Sequence, residues 1–118
     1  MMIDAPYICE APHAVDADSI SCGQRRLRLV GIDAPEIGRC NRGRVCVPGD
    51  AQASKRSLAR GLKLGPIRYR PIMVDRYGRI VAAVYAKRTN LSCYQLRSRS
   101  ASYIARWDTA SVVVRECR

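Results

Sequence analysis

The sequence predicts a mainly β (α+β) protein: a five-stranded Greek-key barrel with two short helices, cross-linked by disulfides. Three observations support this prediction. The length of 118 residues suits one domain with one modest core, five short stretches have strand-like composition, and the chain contains six cysteines. No apolar run reaches the roughly 18 to 20 residues that cross a bilayer. We therefore expect one domain over residues 1–118, a monomer, with no membrane-spanning segment.

The first three strands form a predicted meander. Residues 11–15 and 19–22 are separated by the acidic turn Asp16-Ala17-Asp18, and a second turn at Gly23-Gln24 leads into a strand over 25–32. If the second and third strands pair about this turn, their side chains meet across the hairpin. The pairing would then place a carboxylate opposite a guanidinium on one face of the sheet.

The second half of the chain supplies the helices and two further strands. A helix is predicted over 51–64, with Asp50 as its N-cap and Gly65-Pro66 at its end. Strands at 67–74 and 79–86 follow, joined by a hairpin turn at 75–78, and Pro71 predicts an edge or a bulge.

Two elements complete the predicted barrel. The S-x-x-Q pattern at 92–95 is a capping box that starts a second helix through about Arg99, and residues 111–114 could add a terminal strand. Five strands, with one helix after the third and another after the fifth, predict a Greek-key barrel of the OB type.

The charge is high and unevenly distributed. Lys and Arg number 21 against 10 Asp and Glu, giving a net charge of +11. Residues 1–60 carry nine basic and seven acidic side chains, whereas residues 61–118 carry twelve basic and three acidic ones. The excess favours a polyanionic partner such as nucleic acid or an anionic lipid surface, while the acidic groups in the first half are what a divalent-cation site needs.

The six cysteines form an even set that indicates disulfides and an oxidising compartment. Fifteen pairings are possible, and sequence separation favours Cys40 with Cys46 and Cys93 with Cys117, which leaves Cys9 and Cys22. Zinc binding is disfavoured because no closely spaced ligand pair occurs. We therefore expect an exported protein, periplasmic or secreted, although this chain contains no signal peptide.

Three carboxylates are predicted to converge at one strand end. Pairing of the second and third strands places Asp18 opposite Arg28. Asp33 and Glu36 lie just beyond the third strand, where Pro35 keeps the preceding residue extended. Two such charges 4 Å apart repel by about 4 kcal/mol at an effective dielectric of 20, so a cluster should bind a hard divalent ion. The alternative is that these are separate, solvated turn residues.

Three motifs give the chain a family resemblance. V-D-A-D-S-I at 15–20 is similar to V-D-G-D-T-[IVL], R-L-V-G-I-D-A-P-E at 28–36 to R-L-x-G-I-D-A-P-E, and D-R-Y-G-R at 75–79 to D-x-Y-G-R. Over about residues 12–107, with a C-terminal tail at 108–118, the chain resembles the thermonuclease (staphylococcal nuclease-like) family. Its cysteines resemble those of a disulfide-containing bacterial branch.

The resemblance implies a set of site residues. Asp18, Asp33 and the backbone carbonyl of Ala34 would coordinate one Ca²⁺. Glu36 would position or deprotonate the attacking water. Catalytic contacts to the scissile phosphate would come from two arginines, Arg28 and Arg79.

The resemblance also implies a reaction and a substrate. The family hydrolyses phosphodiester bonds of DNA and RNA with little sequence preference and leaves 3′-phosphate ends. Arg76 and Tyr77 would contact a terminal phosphate or sugar, and Trp107 or Tyr103 would offer a stacking surface for a base.

Two departures from the family pattern keep other functions open. Ala17 replaces a turn glycine, and Arg99 stands where the second helix usually ends in glycine. If Ala17 displaced Asp18, the chain would be a non-catalytic nucleic-acid-binding OB module. A second alternative is an exported, disulfide-stapled interaction domain.

Overall fold

The computed structural model describes residues 5–37 and 46–117. Nine strands are assigned in this part of the chain: β1 Tyr7–Ile8, β2 Pro12–Asp16, β3 Ser19–Cys22, β4 Arg25–Leu29, β5 Ile32–Asp33, β6 Ile67–Val74, β7 Ile80–Ala86, β8 Thr89–Asn90 and β9 Ser102–Tyr103. The helices are α1 Ala51–Leu62, α2 Leu91–Arg97 and α3 Val112–Glu116, with 3₁₀ turns at Ala105–Trp107 and Thr109–Ser111.

The main sheet has the strand order β1-β6-β7-β4-β3-β2, and β8 also pairs with β7. Strands β4 and β7 run parallel, and the other pairs in this sheet are antiparallel. Strands β5 and β9 form a separate antiparallel pair. This mostly β half-barrel with short helices confirms the predicted OB-like α+β class.

Most of the predicted elements are confirmed. The strand expected over 25–32 is divided at Gly31, whose φ of +77° places it in the left-handed region that favours glycine. The Asp50 side chain accepts a hydrogen bond from the Ala53 amide, as expected of an N-cap. The register of the β6–β7 pair shifts between Pro71 and Met73, which is the predicted bulge.

The expected terminal strand at 111–114 is wrong, because these residues enter α3. The Asp108 side chain accepts hydrogen bonds from the Val113 amide at 2.9 Å and the Val114 amide at 3.1 Å. Val112 and Val113 are buried in the core. Tertiary packing and a capping carboxylate therefore override the strand preference of three consecutive valines.

The second helix begins two residues earlier than its sequence signal suggests. The Asn90 side chain accepts from the Cys93 amide at 3.2 Å, so Asn90 is the N-cap. The Ser92 hydroxyl instead donates to the Val30 carbonyl at 2.7 Å. The capping-box assignment was therefore wrong, and Ser92 joins α2 to the end of β4.

The sheet carries apolar residues on both faces. One cluster contains Leu27, Leu29 and Val84 and is covered by α1 and α2 through Leu58 and Leu91. The second cluster lies on the opposite face, and it comprises Ala5, Val30, Ala83, Tyr85 and Val112, with Ile72 and Val81 packed against it. The C-terminal helix α3 therefore covers the face that the main core leaves open.

Two of the expected disulfides are present. Cys9 pairs with Cys22, and Cys93 pairs with Cys117. Cys46 is also disulfide-bonded, but the predicted Cys40–Cys46 pairing lies outside the described residues because Cys40 does. Oxidised cysteines are compatible with an exported protein. In the described part of the chain, none of the helices is both long and apolar enough to cross a membrane.

Candidate functional site

A buried cluster of Asp18, Arg28 and Asp33 forms where β4 ends and β5 begins. Arg28 Nη1 lies 3.0 Å from Asp18 Oδ2, and Arg28 Nη2 lies 3.4 Å from Asp33 Oδ1. Arg28 Nη2 also donates to the Ile32 carbonyl at 3.0 Å. One guanidinium therefore bridges two carboxylates, and we call these three side chains the buried cluster.

The backbone of Ala34 ties the same two carboxylates together. Its amide is 3.1 Å from Asp18 Oδ2 and 3.1 Å from Asp33 Oδ1. Ala34 is itself buried. Asp18 and Asp33 therefore present oxygens to one small volume, and they do so from two chain segments that the fold brings together.

The predicted hairpin register was wrong by one residue. Ser19 is the partner of Arg28 in the β3–β4 ladder, and the Leu29 amide donates to the Asp18 carbonyl. Asp18 nevertheless meets Arg28, because it lies in the turn just before β3 and the long arginine side chain reaches it. The predicted contact is present with a different backbone pairing.

Burial dominates the electrostatics of Asp18. Asp18 is only 6% exposed, and loss of solvation raises the pKa of its carboxyl group. Arg28 and the Ala34 amide oppose this rise, whereas the negative charge of Asp33 adds to it. A positively charged group in this volume is therefore favourable, and the arginine supplies only part of that compensation.

The turn residue Ala17 does not carry the strain that a replaced glycine could impose. It is absent from the non-glycine residues with positive φ, all of which lie elsewhere in the described chain. Its carbonyl accepts a 2.7 Å hydrogen bond from Gln95 Nε2. Gln95 is fully buried and also bonds the Ser54 carbonyl and the Ser57 hydroxyl, so helices α1 and α2 hold the backbone next to Asp18.

Sequence reasoning missed Gln95, because a glutamine in a helix normally indicates a solvent-exposed position. Asp108 was also missed, and it accepts bonds from Tyr103 and from α3. The only sequence signal for Gln95 was its place in S-x-x-Q, which indicated a local cap. Its actual partners are distant in sequence, up to 78 residues away.

A second carboxylate–guanidinium cluster occupies the β6–β7 turn. Asp75 Oδ2 lies 2.8 Å from Arg79 Nε, while Oδ1 accepts from the Tyr77 and Arg79 amides. Burial opposes the net shift, but these hydrogen bonds and the Arg79 charge lower the pKa of Asp75. We call residues 75–79 the Tyr77 hairpin.

Two arginines lie near the aromatic ring of this hairpin. The Arg76 guanidinium is 5.0 Å and that of Arg79 5.4 Å from the centre of the Tyr77 ring. Arg76 also donates to the Tyr77 hydroxyl at 2.8 Å. Tyr77 is 65% exposed, so these groups are accessible to a ligand.

The two clusters adjoin the same pair of strands. Arg28 pairs in register with Val81 of the parallel strand β7, so their side chains point to the same face. Arg79 lies in the turn just before β7, next to Ile80, and Ile80 pairs with Leu27, the neighbour of Arg28. The fold thus brings both predicted phosphate-binding arginines to the start of the β4–β7 ladder.

The two candidate stacking residues have different surroundings. The Arg28 guanidinium lies 5.2 Å from the centre of the Trp107 ring, and Arg106 lies at the same distance. Tyr103 is exposed, but its hydroxyl donates to Asp108 Oδ2 at 3.0 Å, and local loss of solvation at that hydroxyl, this bond and the negative charge of Asp108 raise the pKa of Tyr103. Trp107 therefore adjoins the buried cluster, whereas the Tyr103 hydroxyl is hydrogen-bonded to Asp108 in the C-terminal region.

Glu36 is half-buried and follows Asp33 by three residues. Among residues 5–37 and 46–117, no group of three or more His, Cys, Asp or Glu side chains is arranged to hold a metal ion. Asp18 and Asp33 are brought together because both bond the Arg28 guanidinium and the Ala34 amide. The role of Glu36 stays a prediction. Two carboxylates and a neighbouring carbonyl are oxygen donors that suit Ca²⁺, provided that water or substrate completes the coordination.

The fold and this site define a protein of nuclease or nucleic-acid-binding type. A family model described as staphylococcal nuclease homologue matches residues 26–112, which is most of the chain. The chain therefore belongs to the staphylococcal nuclease homologue family, whose members are usually nucleases. No curated protein matches the chain closely enough to serve as a relative.

The family match covers the arginines, Asp33 and the Tyr77 hairpin but begins after Asp18. Asp18 is connected to the site by its contacts with Arg28 and Ala34. The geometry thus extends the site beyond the matched segment.

Proposed function

We propose that this protein is a Ca²⁺-dependent nuclease that hydrolyses phosphodiester bonds of DNA and RNA with little sequence preference and leaves 3′-phosphate ends. The observation that carries the proposal is the buried cluster, in which Asp18 and Asp33 share the Arg28 guanidinium and the Ala34 amide. Contacts to phosphate carry no base information, so a site of this composition does not select sequence.

In this proposal, Asp18, Asp33 and the Ala34 carbonyl hold one Ca²⁺. The donor set fits, because two buried carboxylates and a backbone carbonyl are the hard oxygen ligands that Ca²⁺ takes, and a cation offsets the cost of burying the two negative charges. When bound, the ion supplies Lewis-acid stabilisation of negative charge on the phosphate oxygens.

The side chains of the protein perform the remaining steps. Glu36 accepts a proton from the attacking water as its oxygen bonds to phosphorus. Arg28 and Arg79 donate hydrogen bonds to the phosphate oxygens, where negative charge increases in the transition state. The bond between phosphorus and the 5′ oxygen breaks, and that oxygen takes a proton from solvent. The other product keeps the phosphate on its 3′ oxygen.

The accessory residues have separate roles. Arg76 and Tyr77 would contact a terminal phosphate or sugar, consistent with the exposure of the Tyr77 hairpin. Trp107 would stack on a base, beside the two arginines that lie 5.2 Å from its ring centre. We further propose that the protein acts as a monomer outside the cytoplasm, in keeping with its oxidised cysteines.

The test is nicking of supercoiled plasmid with Ca²⁺ or with excess EGTA. We expect nicking by the parent protein only with Ca²⁺, and a loss of about 100-fold or more in rate for Glu36→Gln. Glu10→Gln is the matched control, because Glu10 is an exposed glutamate outside the site. No Ca²⁺-dependent nicking by the parent would reject the proposal.

A second candidate is a non-catalytic nucleic-acid-binding module. It is favoured by the net charge of +11, which attracts a polyanion without requiring a metal ion. This function would give salt-sensitive DNA binding that survives EGTA and no cleavage at any Ca²⁺ concentration. The same plasmid assay, combined with a binding measurement, separates the two. An exported interaction domain would retain its function in both Arg28→Ala and Glu36→Gln.

A further inference from the structure

The solvent-exposed face of α1 is a stripe of basic side chains. Arg56, Arg60 and Lys63 are exposed and lie four and three residues apart, so they project from one side of the helix. The opposite side of α1 is buried against the protein, and it consists of Ser54, Ser57, Leu58 and Gly61. We call the three cations the α1 basic stripe.

The described structure gives these cations no acidic partner. The four ion pairs of the described residues involve Arg28 twice, Arg70 and Arg79, and none involves the stripe. The α1 sequence contains no Asp or Glu, and between residues 51 and 107 the single acidic residue is Asp75, which Arg79 binds.

The α1 basic stripe lowers the stability of the helix, and no ion pair among the described residues compensates for this loss. Like charges four residues apart destabilise a helix, and Arg56 and Arg60 have that spacing. The dipole at the carboxyl end of the helix accounts for Arg60 and Lys63 but not for Arg56, which lies in the middle. A polyanion-binding surface requires basic side chains that are not already paired with acidic ones, and the α1 basic stripe has this property.

The length of the stripe matches a phosphate backbone. Seven residues separate its ends, which is about 10.5 Å along the helix at about 1.5 Å per residue. One strand of a duplex presents a phosphate about every 3.4 Å of its axis, so the stripe spans about three phosphates. The stripe is therefore long enough for its three cations to contact different phosphates of one strand.

The stripe also lies on an element that starts beside the site. Gly49, just before α1, approaches Pro35, which follows Ala34. The Ser54 and Ala17 carbonyls share the Gln95 amide, so the first turns of α1 are fixed relative to Asp18.

We propose that the α1 basic stripe is a second binding surface for the nucleic-acid backbone, separate from the residues that contact the scissile phosphate. The proposal rests on the proposed function for its choice of polyanion. The surface retains long substrates without base preference, so it acts on KM for long DNA and leaves the cleavage of very short substrates unchanged.

An anionic membrane is the competing partner for a basic helix. Membrane-surface helices insert an apolar face into the lipid boundary. The apolar and small side chains of α1 are already buried by the protein, so this face is unavailable for insertion. The geometry therefore favours the nucleic acid, which needs only the exposed cations.

The experiment compares two variants with the same net charge. The stripe variant carries Arg56→Gln, Arg60→Gln and Lys63→Gln, and glutamine preserves helix propensity. The control carries Arg25→Gln, Arg99→Gln and Arg115→Gln, three exposed arginines outside the stripe. Binding to a 30-base-pair duplex is measured in EDTA from 50 to 200 mM salt, and circular dichroism establishes that both variants are folded.

We expect the slope of log affinity against log salt to be smaller by about 2.7 in the stripe variant, at about 0.9 per lost phosphate contact. The fall in affinity between 50 and 200 mM salt then becomes about 40-fold smaller than for the parent. With Ca²⁺ present, KM for long DNA rises at least tenfold in the stripe variant, while kcat and cleavage of a dinucleotide stay the same.

Equal effects in both variants, or no change of slope in the stripe variant, would overturn the proposal. So would a loss of binding to phosphatidylserine vesicles in the stripe variant without a loss of binding to DNA. Binding is measured in EDTA, so it does not depend on cleavage. If the stripe variant shows the expected slope change but the parent protein never cleaves DNA, the result supports the α1 basic stripe as a binding surface and rejects the nuclease proposal.

Discussion

The buried cluster and the Tyr77 hairpin contain the same two chemical groups in different surroundings. Each has an aspartate bonded to an arginine, in or beside the β4–β7 pair. In the buried cluster, loss of solvation outweighs the arginine and raises the pKa of Asp18. In the hairpin, backbone amides and the arginine outweigh a smaller loss of solvation and lower the pKa of Asp75.

The difference shows what each arginine does in the folded protein. Arg28 compensates two buried charges, so both its loss and the addition of a cation should change the stability of the fold. Arg79 organises an exposed turn and holds Tyr77, so its main effect should be on ligands. The same pair of groups, a carboxylate beside a guanidinium, thus compensates buried charge in one place and orders an exposed turn in the other.

Removal of the two arginines gives the largest expected contrast. In EDTA, Arg28→Ala should lower the free energy of unfolding by about 3 kcal/mol, because two buried carboxylates lose their partner. Arg79→Ala should cost less, about 1 kcal/mol, because this pair is only partly buried and its charges stay partly solvated. Urea denaturation measures both values, and equal losses would remove the distinction between the clusters.

The disulfide that anchors the C-terminal helix α3 should stabilise the region around the buried cluster more than the Tyr77 hairpin. The Cys93–Cys117 bond, at a separation of 24 residues, ties the end of α3 to α2, and Val113 of α3 lies next to Gly31, between β4 and β5. The Cys93→Ser, Cys117→Ser double variant should lose about 3 kcal/mol of unfolding free energy. Amide hydrogen exchange should accelerate at residues 29–33 more than at 75–79, and uniform acceleration would contradict the assignment.

Two glycines provide a matched pair of substitutions. Both have positive φ, but a Cβ on Gly31 would lie 2.7 Å from Val113 Cγ2, whereas Gly78 has open space around that position. Gly31→Ala should therefore cost about 3 kcal/mol from strain and overpacking, and Gly78→Ala about 1 kcal/mol from strain alone. Thermal melts measure the difference, which should vanish if α3 does not pack on Gly31.

The smallest expected effect is the acid dependence of the hairpin. The folded pKa of Asp75 lies below its ordinary value of 3.8, so its stabilising contribution is complete above about pH 4 and is lost as the pH falls through the folded value. Asp75→Asn should reduce the slope of stability against pH below about pH 4 and leave it unchanged between pH 5 and 7. Urea titrations at several pH values test this, and identical slopes would exclude the Asp75 contribution.

Local signals predicted the elements that local physics controls. Asp50 begins α1, and Pro71 marks the β6 bulge. The predictions failed where contacts with residues outside the local segment determine the structure. The valines of α3 are helical because Asp108 caps them, and Ser92 bonds the Val30 carbonyl instead of capping its own helix. Arg99 shows both influences: its φ of +57° ends α2 as glycine would, with Ser100 and Gln95 closing the turn.

The sequence by itself determined the charge balance, the order of the longer strands and of the first two helices, and the motifs that contain Asp33, the two arginines and the Tyr77 hairpin, because these depend on residues close in the chain. Only the tertiary structure determined that Asp18 also bonds the Ala34 amide and meets Arg28 from outside the expected strand pairing, that Gln95 holds Ala17, and that the cations of α1 have no acidic partner among the described residues. Those features depend on solvation and on contacts between distant segments, and neither exists until the chain has folded.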